Sequence, residues 1–103
     1  MKTINKVPIT VEFVEEMPFD TIQENVLYVD KKICRMRHNC LCGCGGLIDI
    51  SISKINDNGK TYTGDSNGWN LIVKGDKVSI TPSILNYPCK GHYIITNGIA
   101  NLV

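Results

Sequence analysis

Trp69-Asn-Leu-Ile-Val-Lys-Gly-Asp-Lys-Val-Ser-Ile-Thr81 is the stretch that decides the fold. Two β-prone runs flank Gly75-Asp76, and a glycine at the first position of a two-residue connection is a hairpin signal. In that register Val73 faces Val78 and Leu71 faces Ile80, with Trp69 on the same side. One face of the ribbon is therefore apolar throughout, which is the period-two pattern of strands with one buried side.

Moving toward the C-terminus, Pro82 to Pro88 turns the chain, and a second ribbon follows. Tyr93-Ile-Ile-Thr96 and Ile99-Ala-Asn-Leu102 flank Asn97-Gly98, a pair suited to the positive φ angles of a tight hairpin turn. Tyr93 and Ile95 share a face with Ala100 and Leu102.

Toward the N-terminus the composition changes. Residues 56–68 hold three glycines, two aspartates and three asparagines, and read as a long exposed loop or the tip of a mobile hairpin. Before them, Ile48, Ile50 and Ile52 alternate with Asp49, Ser51 and Ser53 as a half-buried strand. Ile33 to Arg37 and Val26 to Val29 are short strands around a turn at Asp30-Lys31-Lys32. Ile9, Val11 and Phe13 form another, and Glu15 to Asn25, interrupted by Pro18, reads as an irregular connection. No stretch sustains a 3.6-residue apolar period. The expected architecture is mostly β: one domain over residues 1–103, a sandwich or open barrel of about seven or eight short antiparallel strands.

Between two of these strands lies His38-Asn-Cys-Leu-Cys-Gly-Cys-Gly-Gly46, and Cys89-Lys-Gly-His92 follows far downstream. Zinc takes about four thiolate or imidazole ligands in a tetrahedron, and glycines let the backbone bend tightly around it. The two segments together predict one zinc ion stapling the fold. The preferred ligands are Cys42, Cys44, Cys89 and His92. Cys40 competes for a place, and His38 stands next behind it. Cys34, outside both segments, is expected to be a small buried apolar residue.

Composition narrows the function classes. A formal net charge of +1 with scattered acids and bases gives no basic stripe for nucleic acid. No segment approaches the ~20 apolar residues of a membrane span, and no apolar run at the start resembles a secretion signal. The chain is therefore expected in the cytoplasm. There thiols stay reduced, so five cysteines do not suggest disulfides.

Three runs carry a family resemblance: Cys40-Leu-Cys-Gly-Cys-Gly45, Val78-Ser-Ile-Thr-Pro-Ser-Ile-Leu-Asn86 and Cys89-Lys-Gly-His-Tyr-Ile94. In this order they resemble three motifs of a family of small, mostly bacterial and phage proteins of unknown function. Its members show a Cys-Pro-Cys-Gly-Cys-Gly loop, a Trp-containing strand, a Ser-Leu-x-Pro-Ser-Ile element and Cys-x-Ser-His-Tyr/Phe-Trp-Ile. The likeness runs from about Met17 onward, with Leu41 in place of Pro, Gly91 of Ser and Ile94 of Trp. The resemblance implies a zinc-binding domain. It also implies, for members encoded beside genes for a ubiquitin-like modifier and its activating and conjugating enzymes, an accessory role.

Taken together, the sequence favours a structural zinc site in a non-enzymatic interaction or adaptor module with a protein partner. Two alternatives stand beside it. Cys89-x-x-His92 resembles half of a Rieske iron–sulfur site, although His38-x-Cys40 reverses the order of the other half. A metal-dependent hydrolase would need a general base, and only His38, Asp49 and Glu15 offer one. No Gly-x-Ser-x-Gly elbow or other hydrolase motif is present.

Overall fold

The computed structural model describes residues 6–18, 21–41, 44–86 and 91–102. They form ten strands: β1 (Lys6–Pro8), β2 (Thr10–Phe13), β3 (Val26–Asp30), β4 (Arg35–Asn39), β5 (Leu47–Asp57), β6 (Lys60–Thr63), β7 (Trp69–Lys74), β8 (Lys77–Asn86), β9 (Gly91–Thr96) and β10 (Ile99–Leu102). Their order is β1-β10-β9-β8-β7-β5-β4-β3-β2, with β6 pairing β5 off this path.

The sheet curls into a nearly closed barrel. Its two ends are β1 and β2, which are consecutive in the chain and separated by Ile9 alone. Residues 6–8 pair with β10, and residues 10–13 pair with β3. At the crossover the Ile9 amide donates to the Gly98 carbonyl (2.9 Å) and the Thr10 amide to that of Asn25 (3.1 Å). One extended segment thus serves both edges, and closure is how a β fold removes exposed edge groups.

Both expected hairpins form in the expected register: Leu71 opposes Ile80, Val73 opposes Val78, Ile95 opposes Ala100 and Tyr93 opposes Leu102. Asn97 and Gly98 both take positive φ, as does Gly75 at the first position of the other turn. These inward residues, with Leu27, Val29, Met36, Ile52, Ile55 and Ile84, fill the barrel. Side chains alternate inward and outward along each strand, so burial is set by register.

Several details differ from the sequence expectation, beginning with ten strands where about seven or eight were expected and with β8 running through Pro82 to Asn86 where the chain was expected to turn. Residues 56–68 are not one loop: β5 continues to Asp57 and turns through Asn58-Gly59, both at positive φ, into β6. β6 pairs β5 alone, and its Lys and Thr residues are exposed, so the composition of the ribbon looks like a loop. Two pairings, β2 with β3 and β5 with β7, are parallel. And Cys34, buried as expected, lies not in a strand but in the turn before β4 at positive φ, its thiol donating to the Lys31 carbonyl at 3.5 Å.

Topology also sets the ends of the barrel. β5 begins where β8 finishes, because β7 runs parallel to β5 and antiparallel to β8. The described residues between β4 and β5, 40–41 and 44–46, therefore lie at the same end as the close of β8 and the start of β9.

Candidate active site

That end carries a serine and a histidine in contact. β8 and β9 pair regularly at Ile80 with Ile95 and again from Ile84 with Tyr93. Between them Thr81, Pro82 and Ser83 stand opposite Ile94 alone, and the Thr81–Pro82 peptide is cis. Proline has no N–H to donate into the ladder, so β8 bulges here. The bulge brings the Ser83 hydroxyl to His92: Oγ lies 2.8 Å from Nε2. The indole N–H of Trp69 donates to the Ser83 carbonyl at 3.2 Å and holds the bulge from the β7 side. Both members of the pair are half-buried, and the exposed side chains of Leu85 and Ile94 flank them.

The next residue points the other way. Tyr93 is fully buried, and its hydroxyl lies 2.7 Å from Nε2 of His38, which is also fully buried. The rings meet edge to face at 74° with centroids 6.0 Å apart. This pair crosses the barrel interior from β4 to β9. Burial lowers the His38 pKa from 6.5 to about 4, so the ring is neutral near pH 7. Its Nδ1 has no hydrogen-bond partner among the described residues.

The carboxylate nominated as a base, Asp49, is already committed. Arg35 reaches its Oδ1 through Nε (3.0 Å) and Nη2 (2.5 Å), and Arg37 reaches Oδ2 through the same two nitrogens (2.9 and 2.6 Å). Burial alone would push the Asp49 carboxyl up, but the hydrogen bonds from Arg37 and Arg35 outweigh it and hold the pKa below the usual value. A carboxylate clamped by two guanidinium groups is a poor proton acceptor. Glu15 lies at a broad cleft beside Glu16, Lys31 and Tyr62, whose lining includes neither Ser83 nor His92.

The proposed metal ligands divide. Cys42 and Cys89 lie outside the described residues. Cys40 is buried, Cys44 is exposed, and His92 is the residue joined to Ser83. Among the described residues no three His, Cys, Asp or Glu side chains cluster closely enough to hold a metal ion. The Cys40 amide donates to the Gly46 carbonyl at 2.8 Å, and the Gly46 amide to Cys44 Sγ at 3.4 Å.

Residues 13–103 match the family model of BubE, a bacterial ubiquitination-like system serine protease. The chain belongs to the BubE family. No curated protein and no solved structure matches it. The BubE assignment overturns the expectation of a non-enzymatic adaptor, and with it the Rieske and metal-hydrolase alternatives, because the family is one of serine proteases. It agrees with the resemblance to proteins encoded beside ubiquitin-like conjugation genes. What sequence reasoning missed was Ser83. The residue stands in the Thr-Pro-Ser-Ile element noted above, but nothing nearby in sequence marks it as a nucleophile. His92 was visible, and its spacing from Cys89 assigned it to a metal.

Proposed function

We propose that this chain is a serine protease of a bacterial ubiquitin-like conjugation system, with Ser83 as nucleophile and His92 as general base. The observation that carries the reading is the 2.8 Å contact between Ser83 Oγ and His92 Nε2, within the 2.6–3.2 Å reach that proton transfer requires.

The chemistry follows from that contact. Ser83 Oγ attacks the carbonyl carbon of the scissile bond while its proton passes to His92 Nε2. The tetrahedral intermediate collapses as the imidazolium returns that proton to the leaving amine, and the acyl group stays on Ser83 as an ester. Water then adds to the ester, giving its proton to His92. Collapse of the second intermediate releases a carboxylate and restores the serine. A neutral imidazole with an open Nε2 lone pair is needed at the start. Trp69 keeps the Ser83 main chain from drifting as the hydroxyl changes partners. The substrate is a polypeptide of the conjugation system, and that protein is the partner of this chain.

A fluorophosphonate probe tests this directly. It should label the wild-type chain on Ser83 and leave Ser83→Ala and His92→Ala unlabelled. Labelling elsewhere, or of Ser83→Ala, would refute the assignment.

Zinc belongs to the same proposal in a supporting place. An N–H donated to a sulfur, as from Gly46 to Cys44, spreads the charge of a thiolate and suits a metal loop. Cys40, Cys42, Cys44 and Cys89 offer four thiols in the sequence without drawing on His92. Metal analysis of His92→Ala should then find the same zinc content as wild type. Loss of zinc in that variant would return His92 to the ligand set.

A further inference from the structure

Beside the Ser–His pair no described strand fills the barrel wall. β7 begins at Trp69, while β8 continues to Asn86 and β5 starts at Leu47. β7 pairs β5 only from Ile52 onward and β8 only as far as Thr81. Past Trp69, no described strand lies between Leu47–Ile50 of β5 and Ser83–Asn86 of β8. Gly68, just before β7, lies at the edge of this lane: a side chain there would strike the Ser51 carbonyl. A lane left by one strand between two others is about 10 Å wide.

The direction of the main-chain groups follows from the turns. Lys74 and Lys77 flank a two-residue turn, so they form a bonded pair, and bonded pairs alternate along an antiparallel ladder. Ser79 and Thr81 therefore turn their peptide groups toward β7, and Val78 and Ile80 toward β9. The Gly98 amide donating to the Val78 carbonyl agrees. On β9, Thr96 bonds with Ile99 across the other two-residue turn, so Ile95 and Tyr93 turn toward β8. Ile84, opposite Tyr93, faces β9, and Ser83 and Leu85 face the lane. The Ser83 carbonyl receiving the Trp69 indole from that side fits this parity. The N–H and C=O of Leu85 are then directed into the lane, two residues from the nucleophile.

We infer that the substrate enters this lane as an extended peptide and is held by main-chain pairing with β8 at Leu85. The inference rests on Ser83 being the nucleophile. A peptide in the lane adds a strand there, and one of its residues exchanges both hydrogen bonds with Leu85. Successive substrate amides then alternate between facing β8 and facing away. A folded domain does not fit a gap one strand wide, so the segment cleaved is an unstructured tail or linker.

The test uses the unaltered chain. An internally quenched octapeptide that the protein cleaves is selected from a mixed-sequence pool, then remade with one backbone amide N-methylated at a time. Methylation of the amide that pairs with Leu85 should lower kcat/KM about ten-fold, and methylation of its immediate neighbours should change it little. Fluorophosphonate labelling of Ser83 is measured alongside. Labelling together with equal responses to methylation at all positions would overturn the pairing and leave the protease reading intact. So would labelling with no cleavage of any extended peptide. Absence of labelling would overturn the protease reading and the pairing together.

Discussion

Two histidines sit on opposite sides of one barrel wall, and each places Nε2 within 2.8 Å of a hydroxyl oxygen. His92 meets Ser83 at the rim, where both side chains are half-buried. His38 meets Tyr93 in the interior, where both are fully buried. As hydrogen bonds the two contacts are nearly the same. They differ in what can approach and in what the histidine can become. A rim imidazole can take a proton while a substrate carbonyl arrives. The interior ring is held neutral by burial, and no substrate reaches Tyr93. A Ser–His contact is evidence for catalysis only together with access, and the inner pair shows the same geometry used for packing.

The comparison can be broken most sharply at the rim. Ser83→Ala should reduce peptide hydrolysis by roughly 10³-fold or more with an unchanged melting temperature. A variant retaining more than a tenth of the wild-type kcat/KM would make the two pairs equivalent after all. Acid stability probes the interior. The folded pKa of His38, about 4, lies below its ordinary value of 6.5, so the unfolded chain binds the proton more readily. The stabilisation is fully present above about pH 6.5 and is lost as pH falls toward 4. At ~1.4 kcal/mol per pKa unit this amounts to about 3 kcal/mol. Urea denaturation at pH 7 and pH 4 should show a smaller drop for His38→Leu than for wild type by that amount.

Smaller effects sharpen the contrast. Tyr93→Phe leaves a buried imidazole nitrogen without its hydroxyl. The variant should lose about 2 kcal/mol in denaturant melts, with kcat/KM per folded molecule unchanged. A matching fall in kcat would mean that the interior pair reaches the chemistry. Trp69→Phe keeps the ring and removes the bond to the Ser83 carbonyl. Losing one neutral hydrogen bond of about 1 kcal/mol should lower kcat about five-fold and leave KM in place. A change confined to KM would assign Trp69 to substrate binding instead.

Much of the barrel is legible in the chain because turns are local. Gly75-Asp76 and Asn97-Gly98 each fix a register within a few residues, and the apolar alternation beside them agrees. Asn58-Gly59 carries the same signal, but the exposed Lys, Thr and Asn of its ribbon mask the strands. The parallel pairings are not written locally: Ile52 and Trp69 meet only because β5 and β7 share the core. The Ser83–His92 contact is harder still. Ser83 lies in the bulge opposite Ile94 while His92 is in register with Leu85, and no periodic reading predicts how many residues a bulge contains. Cysteine spacing is the loudest pattern in the sequence, and it says nothing of the contact between His92 and Ser83. The depth of His38 was invisible because its environment comes from strands at the far end of the chain.

The segment from Lys6 to Phe13 has a final consequence. It is a zipper pull common to two seams, hinged at Ile9, with Asn101 opposite Lys6 on one side and Val29 opposite Phe13 on the other. Detaching it would unfasten the first and last parts of the wall in one event. Amide protons of Val7, Ile9 and Thr10 should therefore exchange with solvent at a common rate, although they bond to strands some seventy residues apart in the chain.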